Sequence, residues 1–211
     1  MMKKIFSLII LAIASSLTTQ AYSQNAQKLL ETAAAKIQNG GGVSASFQAT
    51  NYKGTKELGT TSGTISFKGN SFYIKSDAMT VWCDGKTLWS LMKGSDEVNV
   101  TAPTADEMRQ INPYTFIGLY KSGKSFSSKK VSYQGKSCNE ISFTPAASSE
   151  IKKLVVITDQ NNTPVNIRLK DKKGNWMRFR VNNVKTGQSF SDGTFRFDKS
   201  KYPDIEIIDL R

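Results

Sequence analysis

The sequence predicts a mainly β fold: an open, unclosed antiparallel β-barrel of about eleven strands, with an N-terminal helix and two lid helices over its concave face. Three observations carry this expectation. Residues 63–100, GTISFKGNSFYIKSDAMTVWCDGKTLWSLMKGSDEVNV, alternate apolar and polar positions through a series of short runs separated by turn residues. The same alternation resumes after residue 126 and continues almost to the C-terminus. Between them, residues 104–121 change to helical spacing. A hairpin-linked meander of that width curls because strands twist, so one face of each strand ends up inside the curve.

The chain opens with Lys3 and Lys4, an apolar run from Ile5 to Leu17, and then Ala21-Tyr22-Ser23, which fits the small-x-small pattern of a cleavage site. Residues 1–23 are therefore expected to be a cleavable signal peptide, and 24–211 a single domain. The apolar run is shorter than the ~20 residues a membrane span needs, and no Cys sits at the cleavage point to take a lipid. The formal charge of +12 argues for anionic partners such as lipid headgroups, or serves solubility. Nucleic acid ranks a poor third and is not expected as a partner, because export removes the usual target.

Leu29, Leu30, Ala33, Ala34 and Ile37 share one face of a helix over 25–38, which Gly40-Gly41-Gly42 terminates. Strand alternation follows: Val43, Ala45 and Phe47; Ile65 and Phe67; Phe72 and Ile74; Trp89 and Leu91; Val98 and Val100. Asp84-Gly85 supplies a hairpin turn. Thr104-Ala105-Asp106-Glu107 reads as a capping box that starts a helix carrying Met108 and Ile111. Asn112-Pro113 then caps a second helix, PYTFIGLYK, in which Tyr114, Phe116, Ile117, Leu119 and Tyr120 wrap most of the way round the axis. A helix apolar nearly all round must be surrounded by protein, and the inside of the curved sheet is the natural place for it. Further strands are expected near 127–134, 137–144, 150–158, 163–171 and 175–185, with turn chemistry at residues 134–136, 160–162 and 172–175. The tail from Phe190 to Leu210 reads as a short strand and an edge segment.

Catalytic chemistry is not expected. The chain has no histidine, the commonest general base and metal ligand. Asp84 begins a turn, Glu107 belongs to the capping box, and no close acid pair stands beside a nucleophile. No metal and no cofactor are predicted. Trp82, Trp89 and Trp176 read as core or as cavity lining. Cys83 and Cys138 are expected not to pair, because a simple meander puts four strand steps, roughly 19 Å, between them, whereas a disulfide needs Cα atoms within about 7 Å.

VSASFQAT after the first helix, GTISFKGNSFYI, CDGKTLW, NPYTFIGLYK and CNEISFTPA occur in the order and spacing of the corresponding segments of the LolA family, the periplasmic carriers of outer-membrane lipoproteins, and the whole mature chain resembles that family. The resemblance implies a soluble, monomeric periplasmic carrier. It would take a lipoprotein from an inner-membrane transporter, hold its acyl chains in an apolar hollow and pass it to an outer-membrane acceptor. The alternative is a lipoprotein-sensing regulatory module of the same fold. The residues expected to form the cavity are Phe47, Ile65, Phe67, Phe72, Trp89, Leu91, Ile141 and Phe143 on the sheet, with Met108, Ile111, Phe116, Ile117 and Tyr120 on the lid. Family members hold the lid with an Arg; here Lys68-Gly69 stands at that place, and the Arg position is Gly69. Lys121, Lys124, Lys129 and Lys130 form a possible docking patch beside the lid, or a solvated loop.

Overall fold

The computed structural model describes residues 23–104 and 113–211, with the backbone alone at 113–117. The predicted signal peptide, apart from Ser23, and the predicted helix with Met108 and Ile111 lie outside the described residues. Helix α1 spans residues 23–38. Six strands follow: β1 (Gly42–Lys53), β2 (Lys56–Lys68), β3 (Ser71–Ser76), β4 (Met79–Cys83), β5 (Leu88–Met92) and β6 (Glu97–Thr101). A 3₁₀ helix, Pro113–Ser122, precedes β7 (Lys124–Tyr133), β8 (Lys136–Thr144), β9 (Ile151–Thr158), β10 (Pro164–Asp171) and β11 (Trp176–Gln188), and β12 (Glu206–Asp209) comes last.

All twelve strands of the described residues belong to one open sheet in the order β12-β6-β5-β4-β3-β2-β1-β11-β10-β9-β8-β7. The predicted class holds, with one strand more than expected. The predicted single meander does not. Two meanders, β1–β6 and β7–β11, meet where β1 pairs antiparallel with β11, in pairs such as Phe47↔Val181 and Tyr52↔Trp176. Chain order alone would have set β7 beside β6. The segment 102–123 instead carries the chain from the Thr101 end of the sheet to the opposite end, where Lys124 pairs with Thr144.

The second predicted lid helix is a 3₁₀ helix over Pro113–Ser122. Aromatic and β-branched residues with Gly118 make this segment a weak α-helix former. The C-terminal tail crosses the sheet's outer face, and β12 adds a parallel edge strand to β6.

One apolar face of each of β1–β5 and β8–β11 points at α1. Val43 and Ala45 (β1), Ile65 and Phe67 (β2), Phe72 and Ile74 (β3), Val81 and Cys83 (β4), and Leu88 (β5) join one core with Ile141 and Phe143 (β8), Leu154 and Val156 (β9), Ile167 and Leu169 (β10), and Phe179 and Val181 (β11). Residues from both ends of the sheet meet in one cluster only because the sheet curls around Ala26, Leu30, Ala34 and Ile37 of α1. The outer face has its own aromatic cluster. Trp82 packs edge-on against Phe197 at 5.4 Å and Tyr202 at 5.7 Å, with Tyr73 tilted against it at 5.7 Å.

Cys83 on β4 and Cys138 on β8 are buried thiols with no disulfide between them. They stand seven strand steps apart rather than the four a meander gives. Cys83 lies with Val81 toward α1, and Cys138 with Glu140 on the opposite side.

Candidate functional site

The concave face is an apolar hollow that the chain itself partly fills. Helix α1 lies in it with Ala26, Leu30 and Ala33 fully buried. Leu119 and Tyr120 of the 3₁₀ helix pack on the same core and stay half-buried. The end of that helix is held against β8. Gly123 N–H donates to the Tyr120 carbonyl at 2.9 Å, and a Cβ on Gly123 would lie 2.7 Å from a ring carbon of Phe143. Phe126 stacks on Phe143 at 5.4 Å. Around the filled part, Phe47, Ala49, Met79, Ile151 and Met177 are half-buried against the core, so apolar surface remains accessible inside the curve.

At one end of the curve a pocket of about 600 Å³ opens, lined by Asn51, Tyr52, Leu58, Ile151, Leu169, Trp176 and Met177, with Glu150, Asp171, Lys172, Lys173 and Asn175 at its edge. That size lies within the range of small-molecule sites. Among the described residues, no group of three or more His, Cys, Asp or Glu side chains is placed to hold a metal.

Most of the residues expected to line the cavity come together. Ile65, Phe67, Phe72, Ile141 and Phe143 are buried on the concave face, Phe47 is half-buried there, and Tyr120 faces them from the 3₁₀ helix. Trp89 and Leu91 are a correction. Trp89 pairs with Trp82, and Leu91 with Thr80, so both lie on the outer face with the aromatic cluster. Leu88, paired with Cys83, is the residue of β5 that points into the hollow. Side chains of Phe116 and Ile117, like all of Met108 and Ile111, lie outside the described residues.

Lys68 and Gly69 form the β2–β3 turn, at the end of the sheet opposite the pocket. Gly69 has φ +59° with open space around it, so an Arg there would fit sterically but would occupy a left-handed conformation costing about 1–2 kcal/mol. The four lysines of the expected patch separate. Lys121 and Lys124 stay at the foot of the 3₁₀ helix, Lys129 pairs with Glu140 at 3.2 Å, and Lys130 stands on edge strand β7.

Several apolar residues of this face were seen in the sequence only as strand alternation: Leu154, Val156, Ile167, Leu169, Met177 and Phe179. Leu58 had no signal. The pairs Asn51↔Gly59 and Tyr52↔Glu57 leave it as the extra residue of a β-bulge.

Two ionisable groups near the hollow are shifted, in opposite directions. Burial is the main cause that pushes the Cys83 thiol up. At the Asp84 turn, burial acts upward too, but N–H donation from Thr87 and Lys86 and the nearby Arg196 outweigh it, so the carboxyl is lowered. Arg196 lies 3.2 Å from Asp84 and ties the tail to this turn.

A family model described as outer membrane lipoprotein carrier protein LolA matches residues 16–172. Among solved structures, a LolA superfamily protein from Nitrosomonas europaea has 14% identity and a TM-score of 0.46, covering 82% of this chain and 98% of that one. A putative outer membrane lipoprotein-sorting protein domain from Vibrio parahaemolyticus has 9% identity and a TM-score of 0.42, covering 85% and 99%. The lipoprotein LppX of Mycobacterium tuberculosis has 12% identity and a TM-score of 0.43, covering 80% and 98%. No curated protein matches the chain. With every one of these TM-scores below 0.5, the family assignment rests on the family model.

Proposed function

Since the chain belongs to the LolA family of outer membrane lipoprotein carrier proteins, we propose that it is a soluble periplasmic carrier that holds lipoprotein acyl chains in the concave hollow. In this reading residues 1–23 are removed on export and 24–211 work as one monomeric domain. That domain binds rather than catalyses, and needs no cofactor. It receives cargo from an inner-membrane transporter, with Lys121 and Lys124 beside the mouth, and yields it to an outer-membrane acceptor.

The observation that carries the reading is an apolar concave face that α1 fills only in part, with Leu119 and Tyr120 half-buried over the rest. Burying an acyl chain is worth about 0.8 kcal/mol per CH₂, so a fully buried sixteen-carbon chain gives on the order of 12 kcal/mol. That corresponds to nanomolar binding, and several such chains would pass the practical ceiling of about 20 kcal/mol. Release therefore requires an offset. Leu119 and Tyr120 provide one, because cargo entering the hollow must displace the apolar contacts they make with the core.

The test is purification of the tagged mature chain from an envelope extract, followed by mass spectrometry of what accompanies it. Acylated peptides or lipoproteins are expected, and are lost when the concave face is blocked by Phe47→Asp. Lipid-free protein from such an extract, together with no uptake of a fluorescent fatty acid, overturns the reading.

A further inference from the structure

The pocket-bearing end of the sheet has a second property that cargo binding does not use. Because β1 pairs with β11, the β1–β2 and β10–β11 hairpins stand side by side, with Tyr52 opposite Trp176. Their tips carry Lys53 and Lys56, and Lys170, Lys172 and Lys173. The start of β9 adds Lys152 and Lys153 beside the same pocket, next to Ile151. These lysines meet few carboxylates. Glu150 pairs with Lys172 at 2.9 Å, Asp171 is occupied by Asn175, and Glu57 accepts from the Thr60 hydroxyl. No carboxylate of the described residues pairs with Lys53, Lys56, Lys152, Lys153 or Lys173.

Apolar groups sit among these charges. Leu58 is 60% exposed, placed at the pocket by its bulge. Tyr52, Trp176 and Ile151 are half-exposed around the same opening, and the Lys170 ammonium lies 5.6 Å over the Trp176 ring.

We propose that this rim docks on the surface of an anionic phospholipid bilayer, with Leu58 and Trp176 entering the headgroup layer. Three features select a bilayer over an acidic protein. The exposed cations at the two hairpin tips are lysines, point charges suited to a diffuse anionic field, with Arg178 set back over the Tyr52 ring at 5.1 Å, whereas recognition of individual carboxylates favours the planar fork of arginine. Aromatic rings with one polar end beside an exposed leucine match a headgroup interface. The apolar opening lies within the ring of charge, so docking sets the hollow against the acyl layer. This goes beyond the carrier reading and stands whatever the cargo is.

The experiment measures sedimentation of the mature chain with vesicles of phosphatidylcholine alone and of phosphatidylcholine mixed with phosphatidylglycerol, at rising salt. Binding is expected to the anionic vesicles only, falling as salt screens the charges. Lys53→Gln with Lys173→Gln is expected to weaken it about thirtyfold, at about fivefold per lysine. Leu58→Ser is expected to weaken it about tenfold. The distant pair Lys86→Gln with Lys136→Gln is expected to leave it unchanged. Brominated lipid should quench tryptophan emission in the parent chain but not in Trp176→Phe. A second pair outside the pocket lining, Lys53→Gln with Lys56→Gln, is expected to weaken docking likewise while its uptake of a soluble fatty-acid probe matches the parent, which separates loss of docking from loss of cargo binding or of folding. No binding to anionic vesicles overturns the proposal. So does equal binding to both vesicle types, or equal weakening by the distant pair, which would mean that overall charge alone is at work.

Discussion

Replacing Leu119 and Tyr120 together with Ala tests whether the 3₁₀ helix fills the hollow or lines it. Both side chains pack on the central core and both are half-buried. Full burial of a side chain of this size is worth about 1.5–3 kcal/mol, so half-burial is worth about 1 kcal/mol for each. The double variant should therefore weaken the filled state by about 2 kcal/mol. If cargo must displace these contacts, the cost of displacement falls by the same amount, and a fluorescent fatty acid should bind about thirtyfold more tightly. Fluorescence titration of the mature chain gives that constant, and urea unfolding of the same variant confirms that the sheet remains folded. Affinity that is unchanged or weaker refutes the argument, since the two side chains would then be part of the bound site rather than its occupant.

Three further outcomes are expected. Phe143→Ala removes a ring that is 1% exposed and stacked on Phe126; the urea midpoint should fall by an amount equivalent to about 3–5 kcal/mol, and a loss below about 1 kcal/mol would mean that the cavity collapses freely. Thiol titration of denatured, unreduced protein should return both Cys83 and Cys138, while the native protein should react slowly at neutral pH, because both are buried and burial raises the Cys83 thiol; a disulfide in the monomer would contradict the strand order. Asp84 is lowered from its ordinary value of 3.8, so its stabilising contribution is complete above that value and is lost as pH falls through the lower folded value; acid unfolding followed by circular dichroism should show a shallower loss of stability in Asp84→Asn, and identical acid limbs would refute this role.

Local periodicity made most strands legible. Period-2 alternation marks β3, β8, β9 and β10, and the Asp84-Gly85 turn marks the β4–β5 hairpin. Three features left no such trace. The first half of β2, Lys56–Ser62, is mostly exposed and has Leu58 as its one large apolar residue, so nothing in it alternates. The face of β5 was misassigned because both faces of that strand are covered, the inner by the core and the outer by Trp82 with Phe197 and Tyr202. Trp89 and Leu91 are larger than their neighbours, but Leu88 is the residue aimed inward. The β1–β11 pairing joins residues more than a hundred positions apart, and the local pattern of each strand is the same whichever neighbour it takes. The 3₁₀ helix was legible in place and in its apolar character, but its geometry was not.

That long-range pairing organises the rest of the molecule. It puts β1 near the middle of the sheet, and α1 enters β1 directly through Gly40-Gly41-Gly42. The helix is thereby tethered at the deepest part of the curve rather than at an edge, which is why its small residues Ala26, Ala33 and Ala34 can be buried in the hollow. The same pairing sets Tyr52 against Trp176 and so brings the two lysine-bearing hairpin tips together at the pocket. A meander with β7 beside β6 would leave β1 as an edge strand, with α1 at the margin and the lysines divided between two ends of the sheet. Filler, hollow and rim thus depend on one seam, whereas edge strand β12, beyond β6, contributes to none of them.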